Sequence, residues 1–236
     1  CILGYFTVWQ GPENNVCDSL NIQKRNEVLI GWSKDGFHWN RENKKPFLPV
    51  SEDFHAWNAG NVQSTAGSPL IVGDSLYFYV SGRYNSKPKH DSNFATGLAM
   101  LRRDGFVSMR AGRKEGYVEI KTKIPANGNY LFVNADVKGT LAVEVLDDNG
   151  QPMEGFTKKD CISMKKSDKT KQMISWEKHP GVTSLVGKTV RLKFYLNQAD
   201  IYAFWISAWQ TGESGGYTGG GGPGLSDKGI DTTMDK

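Results

Sequence analysis

Apolar and polar residues alternate over short stretches along the whole chain, and turn residues separate these stretches. In the first half the strand-like runs are residues 2–9, 27–32, 69–72, 76–82 and 97–102. A period of two residues is typical of strands with one buried face. No stretch shows the longer period of an amphipathic helix, and the segment 10–26 reads as a polar loop. The pattern therefore predicts an all-β chain.

Two similar corners punctuate the first half. Asp35-Gly36-Phe37 follows one strand-like run and Asp104-Gly105-Phe106 follows another. Asp-Gly suits a tight turn because glycine accepts positive φ and aspartate bonds back to the local backbone. A strand, an Asp-Gly-Phe corner and a further strand are typical of a β-propeller blade. We predict that residues 1–115 form about two blades, the second one ending with a strand at 105–109, and that Asp35 and Asp104 cap their turns.

The pattern of apolar and polar residues changes near residue 116. Residues 118–124 alternate strictly, and strand-like runs follow at 131–137, 141–146, 171–176, 189–196 and 201–206. Short strands separated by turn residues predict an antiparallel β-sandwich over residues 116–211. Residues 212–236 are rich in glycine and predict a flexible tail.

Charge, hydrophobicity and cysteine content limit which partners, metals and cofactors are expected. The net charge is +4 and the basic residues are scattered, so no nucleic-acid partner is expected. No apolar run is long enough to span a bilayer. The three cysteines, Cys1, Cys17 and Cys161, match no metal motif, so neither a metal nor another cofactor is expected. One disulfide, Cys17–Cys161 or Cys1–Cys17, remains open.

Long polar segments rich in aromatic residues are the candidate site. On a propeller, the segments 10–26, 40–68 and 83–96 would emerge on one face, and long loops on a rigid scaffold often carry sites. They combine aromatic rings that stack on sugars with amides, carboxylates and a guanidinium that bond hydroxyls. Glu13 is the candidate catalytic acid. The candidate substrate-binding residues are Trp9, Asn14, Trp57, Asn61, Gln63 and Arg83.

Each candidate also has a structural explanation. Trp57 could plug the space between two blades, and Arg83 could form a structural ion pair. Asn61 and Gln63 could bond the backbone of the segment that joins the blades. Glu13 could be a solvated turn residue. His55 and His90, which lie in the same segments, are more typical of surface positions.

Two motif-rich segments resemble a known family. Residues 4–14 and 24–39, the latter ending in Ser33-Lys-Asp-Gly-Phe-His-Trp39, resemble five-bladed β-propeller glycoside hydrolases, and most of all a poorly characterised branch described as glycosyl hydrolase family 32-like. The similarity continues at residues 57–64, 76–83, 96–106, 130–134 and 143–147. The resemblance implies the last two blades of a five-bladed propeller, followed by a C-terminal β-sandwich, with carbohydrate as the substrate class.

The sequence departs from that family at its catalytic motifs. The nucleophile Asp motif, the Arg-Asp-Pro motif and the Glu-Cys acid motif do not occur here. The resemblance therefore implies a C-terminal portion, with the upstream blades missing from this chain or supplied by a partner chain. It carries over no catalytic residue, and it implies a secreted or extracellular protein.

Two functional hypotheses follow. The first is a glycoside hydrolase-like protein that binds a carbohydrate at the propeller face or cleaves it with two carboxylates. The alternative is a non-catalytic glycan-binding or structural extracellular protein that keeps the propeller fold. A sialidase-like propeller ranks lower, because the Asp-Gly corner is one residue shorter than the usual Asp-box.

Overall fold

The computed structural model describes residues 2–22, 24–53, 55–65, 67–85 and 92–214. These residues are mostly β-strand, which confirms the all-β prediction. The chain divides into two compact units. The first holds the residues up to Leu70 together with Tyr77–Met100, and the second holds Ile71–Leu76 together with the chain from Leu101 onward. The predicted tail lies almost wholly outside the described residues, as do Cys1 and His90.

Seven strands form the first sheet. They are β1 (Ile2–Trp9), β2 (Asn26–Ser33), β3 (Trp39–Asn40), β4 (Asn61–Thr65), β5 (Leu70–Val72), β6 (Ser75–Asn85) and β7 (Ser92–Arg102). The order is β1-β2-β4-β6-β5, with β3 beside β2 and β7 beside β6. Strand β4 lies in the segment that the sequence analysis treats as irregular, and it joins β2 through a single parallel pair, Asn26–Asn61.

Apolar side chains fill the core of the first unit. Val28, Val62 and Val80 are buried, and each such side chain contributes roughly 1.5–3 kcal/mol by leaving water. An aromatic trio adds directional packing: the ring of Tyr5 stacks on Phe47 at 5.8 Å and meets the edge of Phe78 at 5.7 Å. This core makes a rigid support for the strand ends described below.

One short helix, α1 (Asn14–Leu20), interrupts the first unit. The sequence analysis predicts a loop here and no helix in the chain, and that prediction is wrong. The backbone amide of Cys17 donates to the Glu13 carbonyl at 3.0 Å, and Asn21 ends the helix with a left-handed φ of 53°. Only Cys17 of this helix is buried, so it carries no apolar stripe that a helical period could reveal.

Five strands form the second sheet. They are β8 (Met109–Ala111), β9 (Gly116–Lys123), β10 (Tyr130–Leu146), β11 (Met164–Ile174) and β12 (Thr189–Ser207), with a 3₁₀ turn at Thr183–Leu185. The order is β11-β10-β12-β8, and β9 also pairs with β12. The strand predicted at 105–109 as the end of a blade is therefore wrong: the chain becomes a strand only at Met109, and β8 pairs antiparallel with β12.

Strands β10 and β12 are each continuous where the sequence predicts two strands. β10 pairs antiparallel with β12 from Tyr130–Ser207 to Leu146–Arg191. The ladder shifts register between Asn134 and Ala135 and between Val137 and Thr140. Such bulges bend a strand without ending it. Alternate residues of β10, among them Leu131, Val133, Val137, Leu141, Val143 and Val145, enter one buried apolar cluster.

The corner at Asp35 is capped as predicted. The Asp35 carboxylate accepts hydrogen bonds from the backbone amides of Phe37 at 2.9 Å and His38 at 2.8 Å. Its other oxygen lies 2.6 Å from Nδ1 of His38. The buried Ser33 hydroxyl accepts from the Gly36 amide at 2.8 Å, and Gly36 has φ 83°. The amide bonds, above all that from His38, lower the pKa of Asp35 well below the ordinary range.

The corner at Asp104 is built differently. Here Asp104 itself takes the left-handed conformation, with φ 51°, and the Gly105 amide donates to the Arg102 carbonyl at 2.9 Å. Burial raises the pKa of Asp104, and the charge of neighbouring Arg103 opposes that shift. The described contacts do not show Asp104 capping its turn as Asp35 does, so the predicted cap is not confirmed at this corner.

Arg102 anchors the second corner to β10 and β11. Its Nε donates to Asn134 Oδ1 at 2.6 Å, and Nη2 donates to the Ala135 carbonyl at 3.1 Å. Nη1 pairs with Asp168. The guanidinium also lies 4.9 Å from the ring centre of Tyr202. The corner is thus fixed by the side chain that precedes it.

Both described cysteines, Cys17 and Cys161, are buried free thiols, so the Cys17–Cys161 disulfide left open by the sequence does not form. Within the described ranges, every helix is too short or too polar to cross a membrane.

Candidate functional site

Four residues follow one another across the paired strands of the first sheet. The strand registers pair Trp9 of β1 with Asn26 of β2, Asn26 with Asn61 of β4, and Asn61 with Arg83 of β6. Within each antiparallel pair, Trp9–Asn26 and Asn61–Arg83, the two partners project from the same face, and the two pairs meet at the single parallel bridge Asn26–Asn61. We call these four residues the polar row. It brings together three predicted site residues: Trp9, Asn61 and Arg83.

The centre of the polar row is buried. Asn26 and Asn61 are among the few buried polar residues of the first unit, and Asn61 is 7% exposed. The side-chain oxygen Oδ1 of Asn61 is fully buried and accepts no hydrogen bond from any residue that the structure describes. A buried acceptor without a partner costs about 1–3 kcal/mol. Buried acceptors without a partner are uncommon in native proteins. In the polar row, this one belongs to the residue between Asn26 and Arg83.

One end of the polar row opens into a shallow depression of about 480 Å³ lined by Trp9, Glu13, Asn14 and Asn15. The Trp9 indole donates to the Pro12 carbonyl at 2.9 Å, which fixes the ring beside the start of α1. The Asn15 side chain accepts from the Val16 amide at 2.9 Å. The structure therefore brings the predicted residues Glu13 and Asn14 to the ring of Trp9, as exposed groups.

The other end opens into a second depression of about 330 Å³. Its lining residues are Gln63, Ser64, Ser81, Gly82, Arg83, Phe94, Ala95 and Thr96. The Arg83 guanidinium lies 4.6 Å from the ring centre of Phe94, and the hydroxyls of Ser64 and Ser81 are 2.8 Å apart. Phe94 is 72% exposed. The depression thus offers a cation, hydroxyl groups and a solvent-facing aromatic ring.

Gln63 sits at a bulge of β4. The ladder to β6 shifts between Val62 and Ser64, which leaves Gln63 as the extra residue. Its backbone carbonyl accepts a hydrogen bond from the Thr7 hydroxyl. The bulge keeps Ser64 and Ser81 on the same face as Asn61 and Arg83, because it absorbs one residue of the alternation.

Trp57 lies on the opposite face of the sheet. A Cβ atom added at Gly82 would lie 2.4 Å from the Trp57 ring, and one added at Gly97 would lie 2.2 Å from it. Since neighbours in a strand point to opposite faces, Trp57 packs behind Arg83 rather than beside it. The structure does not bring Trp57 to the polar row, and its contacts are those of the packing alternative.

Two arginines of the first unit differ in whether they form ion pairs. Arg25 pairs with the buried Glu27 at 3.1 Å and with Glu52 at 2.8 Å, and its hydrogen bond to Glu52 is the main cause that raises its pKa. Glu27 also accepts from the Val50 amide at 3.3 Å. Arg83, by contrast, forms no ion pair within the described part of the chain, so the structural ion pair considered from the sequence is not found there.

Among the described residues, the remaining polar candidates form no catalytic group. The exposed His55 donates its backbone amide to the Asp53 carboxylate at 2.9 Å. His90 and Asp91 fall outside the described residues. Over the ranges that the structure covers, no three His, Cys, Asp or Glu side chains are grouped so as to hold a metal ion.

The sequence analysis misses two residues of this site. Asn26 directly precedes the apolar run of β2, so it resembles the end of a loop. Phe94 falls in a segment predicted as a polar loop, whereas β7 already begins at Ser92. The signal available in the sequence was the alternation of small residues at 95, 97 and 99 with larger ones from Phe94 to Met100.

Searches of family models, curated proteins and solved structures find no match to this chain. The resemblance to family 32-like glycoside hydrolases therefore stays a prediction, and the site is argued from its own geometry.

Proposed function

We propose that this protein binds carbohydrate along the polar row of the first unit. The observation that carries the proposal is the buried, unpartnered Oδ1 of Asn61 between Trp9 and Arg83. Because this atom is fully buried, the Asn61 side chain must turn outward for a sugar hydroxyl to donate to it, and that hydrogen bond would remove the cost of leaving the atom unpaired. An aromatic ring and a few fixed polar groups are the usual composition of a small-molecule site.

Binding is proposed here without hydrolysis. Cleavage of a glycosidic bond needs two opposed carboxylates, about 5–5.5 Å apart for retention and farther apart for inversion. Glu13 is exposed beside Trp9, while Glu27 and Glu52 are both engaged by Arg25. Glu13 is therefore best assigned as a hydrogen-bond acceptor for a sugar hydroxyl.

The proposed scaffold is the propeller part followed by a β-sandwich. The pairing of consecutive strands supports the first element: β1 pairs with β2 and β2 with β3, while β5 pairs with β6 and β6 with β7. Neighbouring strands of a propeller blade are paired in the same way. The long curved ladder of β10 and β12 over one apolar cluster supports the second element.

The test is glycan binding by the whole chain, first on a glycan array and then by isothermal titration calorimetry. The Asn61→Ala variant should weaken binding at least tenfold, because it removes the buried acceptor. Asn149→Ala, at an exposed turn of the second unit, is the matched control and should bind as the native chain does.

Thermal melting of both variants separates lost binding from lost folding. Native affinity in a folded Asn61→Ala variant, or no binding to any glycan of the array, would contradict the proposal.

A further inference from the structure

The second depression has the chemistry of an anion subsite. We infer that the bound carbohydrate carries a carboxylate, as a uronic acid does, and that Arg83 binds this group; the inference rests on the proposed function. Arg83 is half-buried, its guanidinium lies over the ring of Phe94, and it forms no ion pair with a described residue. A cation over a ring keeps its N–H donors available in the plane of the guanidinium.

The lining of the depression favours a negative ligand. Its side chains other than Arg83 are neutral: the Gln63 amide, the hydroxyls of Ser64, Ser81 and Thr96, and the ring of Phe94. Among the described residues, no acidic one lines it. Within that lining a carboxylate would meet one positive charge and no negative one, and the planar guanidinium fork matches the two carboxylate oxygens.

The polar row supplies the complementary acceptor. Asn61 pairs with Arg83 across β4 and β6, so an acceptor and a guanidinium that have no polar partner among the described residues lie on neighbouring strands of one face. A uronic acid presents a carboxylate together with donating hydroxyls, which fits this pair. The exposed ring of Phe94 offers an apolar face for the sugar ring.

Other arginines of the first unit show what is particular to Arg83. Arg25 is occupied by Glu27 and Glu52. Arg41 also lies over an aromatic ring, 5.2 Å from the centre of Phe6, but it is exposed and does not line the second depression. Arg41 is therefore a matched control: the same side chain in the same kind of ring contact, away from the polar row.

The experiment compares acidic oligosaccharides with their neutral methyl esters. The probes are trimers of galacturonate, glucuronate and mannuronate, each paired with its ester, titrated into the whole chain at low salt. We expect at least one acid to bind 10- to 100-fold more tightly than its ester, the factor that one charge-assisted hydrogen-bond pair supplies. Arg83→Gln should abolish this preference, Arg83→Lys should keep part of it, and Arg41→Gln should keep all of it.

The outcomes separate the two proposals. Equal binding of acid and ester would overturn the uronate inference and leave carbohydrate binding intact, whereas no binding of any sugar would overturn both. A stronger response to a sulfated neutral trimer than to any uronate would overturn the carboxylate assignment. If Arg83→Gln and Arg83→Lys fold and weaken acid and ester equally, Arg83 only supports the site, and the inference is wrong.

Discussion

The two Asp-Gly-Phe corners share three residues and differ in almost every contact. At the first corner, Gly36 takes the left-handed conformation while Asp35 and Ser33 accept the free amides of the turn. At the second, Asp104 takes the left-handed conformation and Arg102 extends away to β10 and β11. The residue two positions before the aspartate differs: serine at the first corner and arginine at the second.

That difference teaches what the shared motif leaves open. A serine hydroxyl can accept an amide and hold an aspartate beside it, as in many turn and cap motifs. An arginine side chain has donors only, so it cannot fill that role. Asp-Gly-Phe turns the chain at both corners, but the positive φ lies at Gly36 where the motif follows Ser33 and at Asp104 where it follows Arg102.

The largest expected effect is at the second corner. Arg102→Ala would leave the buried Asn134 side chain without its donor and remove the ion pair with Asp168. We expect the free energy of unfolding to fall by about 2–4 kcal/mol, measured by urea denaturation. The exposed Arg113→Ala is the control, with a change within about 0.5 kcal/mol. If the free energy of unfolding falls equally in the two variants, the contacts of Arg102 stabilise the protein no more than an exposed arginine does.

A smaller loss is expected at the first corner. Ser33 is 0% exposed, and Ser33→Ala would leave the Gly36 amide unpaired and remove the hydrogen bond that the Ser33 hydroxyl donates to the Asp35 carboxylate. The free energy of unfolding should fall by about 1–2 kcal/mol. The exposed Ser19→Ala in α1 should change it by less than about 0.5 kcal/mol. An unchanged Ser33→Ala variant would contradict the capping role.

The smallest effect has opposite signs at the two corners. At pH 7, Asp104→Asn should raise the melting temperature by about 1–3 °C, because it removes a charge that burial disfavours and because asparagine tolerates positive φ. Asp35→Asn should lower it, because the amides that cap the turn prefer a charged acceptor.

Acidification should remove the difference at Asp104 and reduce the difference at Asp35. The pKa of Asp35 is lowered in the folded protein, so its contribution is present above the ordinary aspartate range and is lost as pH falls through the lowered pKa. The pKa of Asp104 is raised, so its cost is present at neutral pH and disappears as pH falls through the raised pKa towards the ordinary value. Melting curves from pH 7 to pH 2 check this; two differences of the same sign would refute the comparison.

Strands with clean alternation could be predicted from the sequence, and interrupted ones could not. Strand β9 alternates along its whole length, and its burial does the same. In β10, Lys138 and Gly139 look like a turn between two strands, yet the ladder to β12 continues past them. In β12, Gln198 adopts φ 43° within the strand. Polar residues at a bulge and at a turn look alike until the partner strand is known.

The sequence predicts several residues of the candidate site, but it does not predict how they are arranged. Trp9, Asn61 and Arg83 were recognisable because aromatic, amide and guanidinium groups suit a sugar. Their alignment depends on the registers of four strands that are distant in sequence. Trp57 shows the same limit in reverse: its residue type suits a sugar, but the glycines that receive its ring put it on the other face.

The pairing of β9 has a consequence for the order in which the second unit is made. Strand β9 finds its ladder partner in β12, although β10 and β11 are synthesised between them. Strand β10 can pair with β11 first, since Leu141–Met164 closes a shorter loop than any pair with β12. On the ribosome, β9 must therefore wait as an unpaired amphipathic strand until β12 has emerged. Over that interval its apolar face is open to chaperones and to other nascent chains.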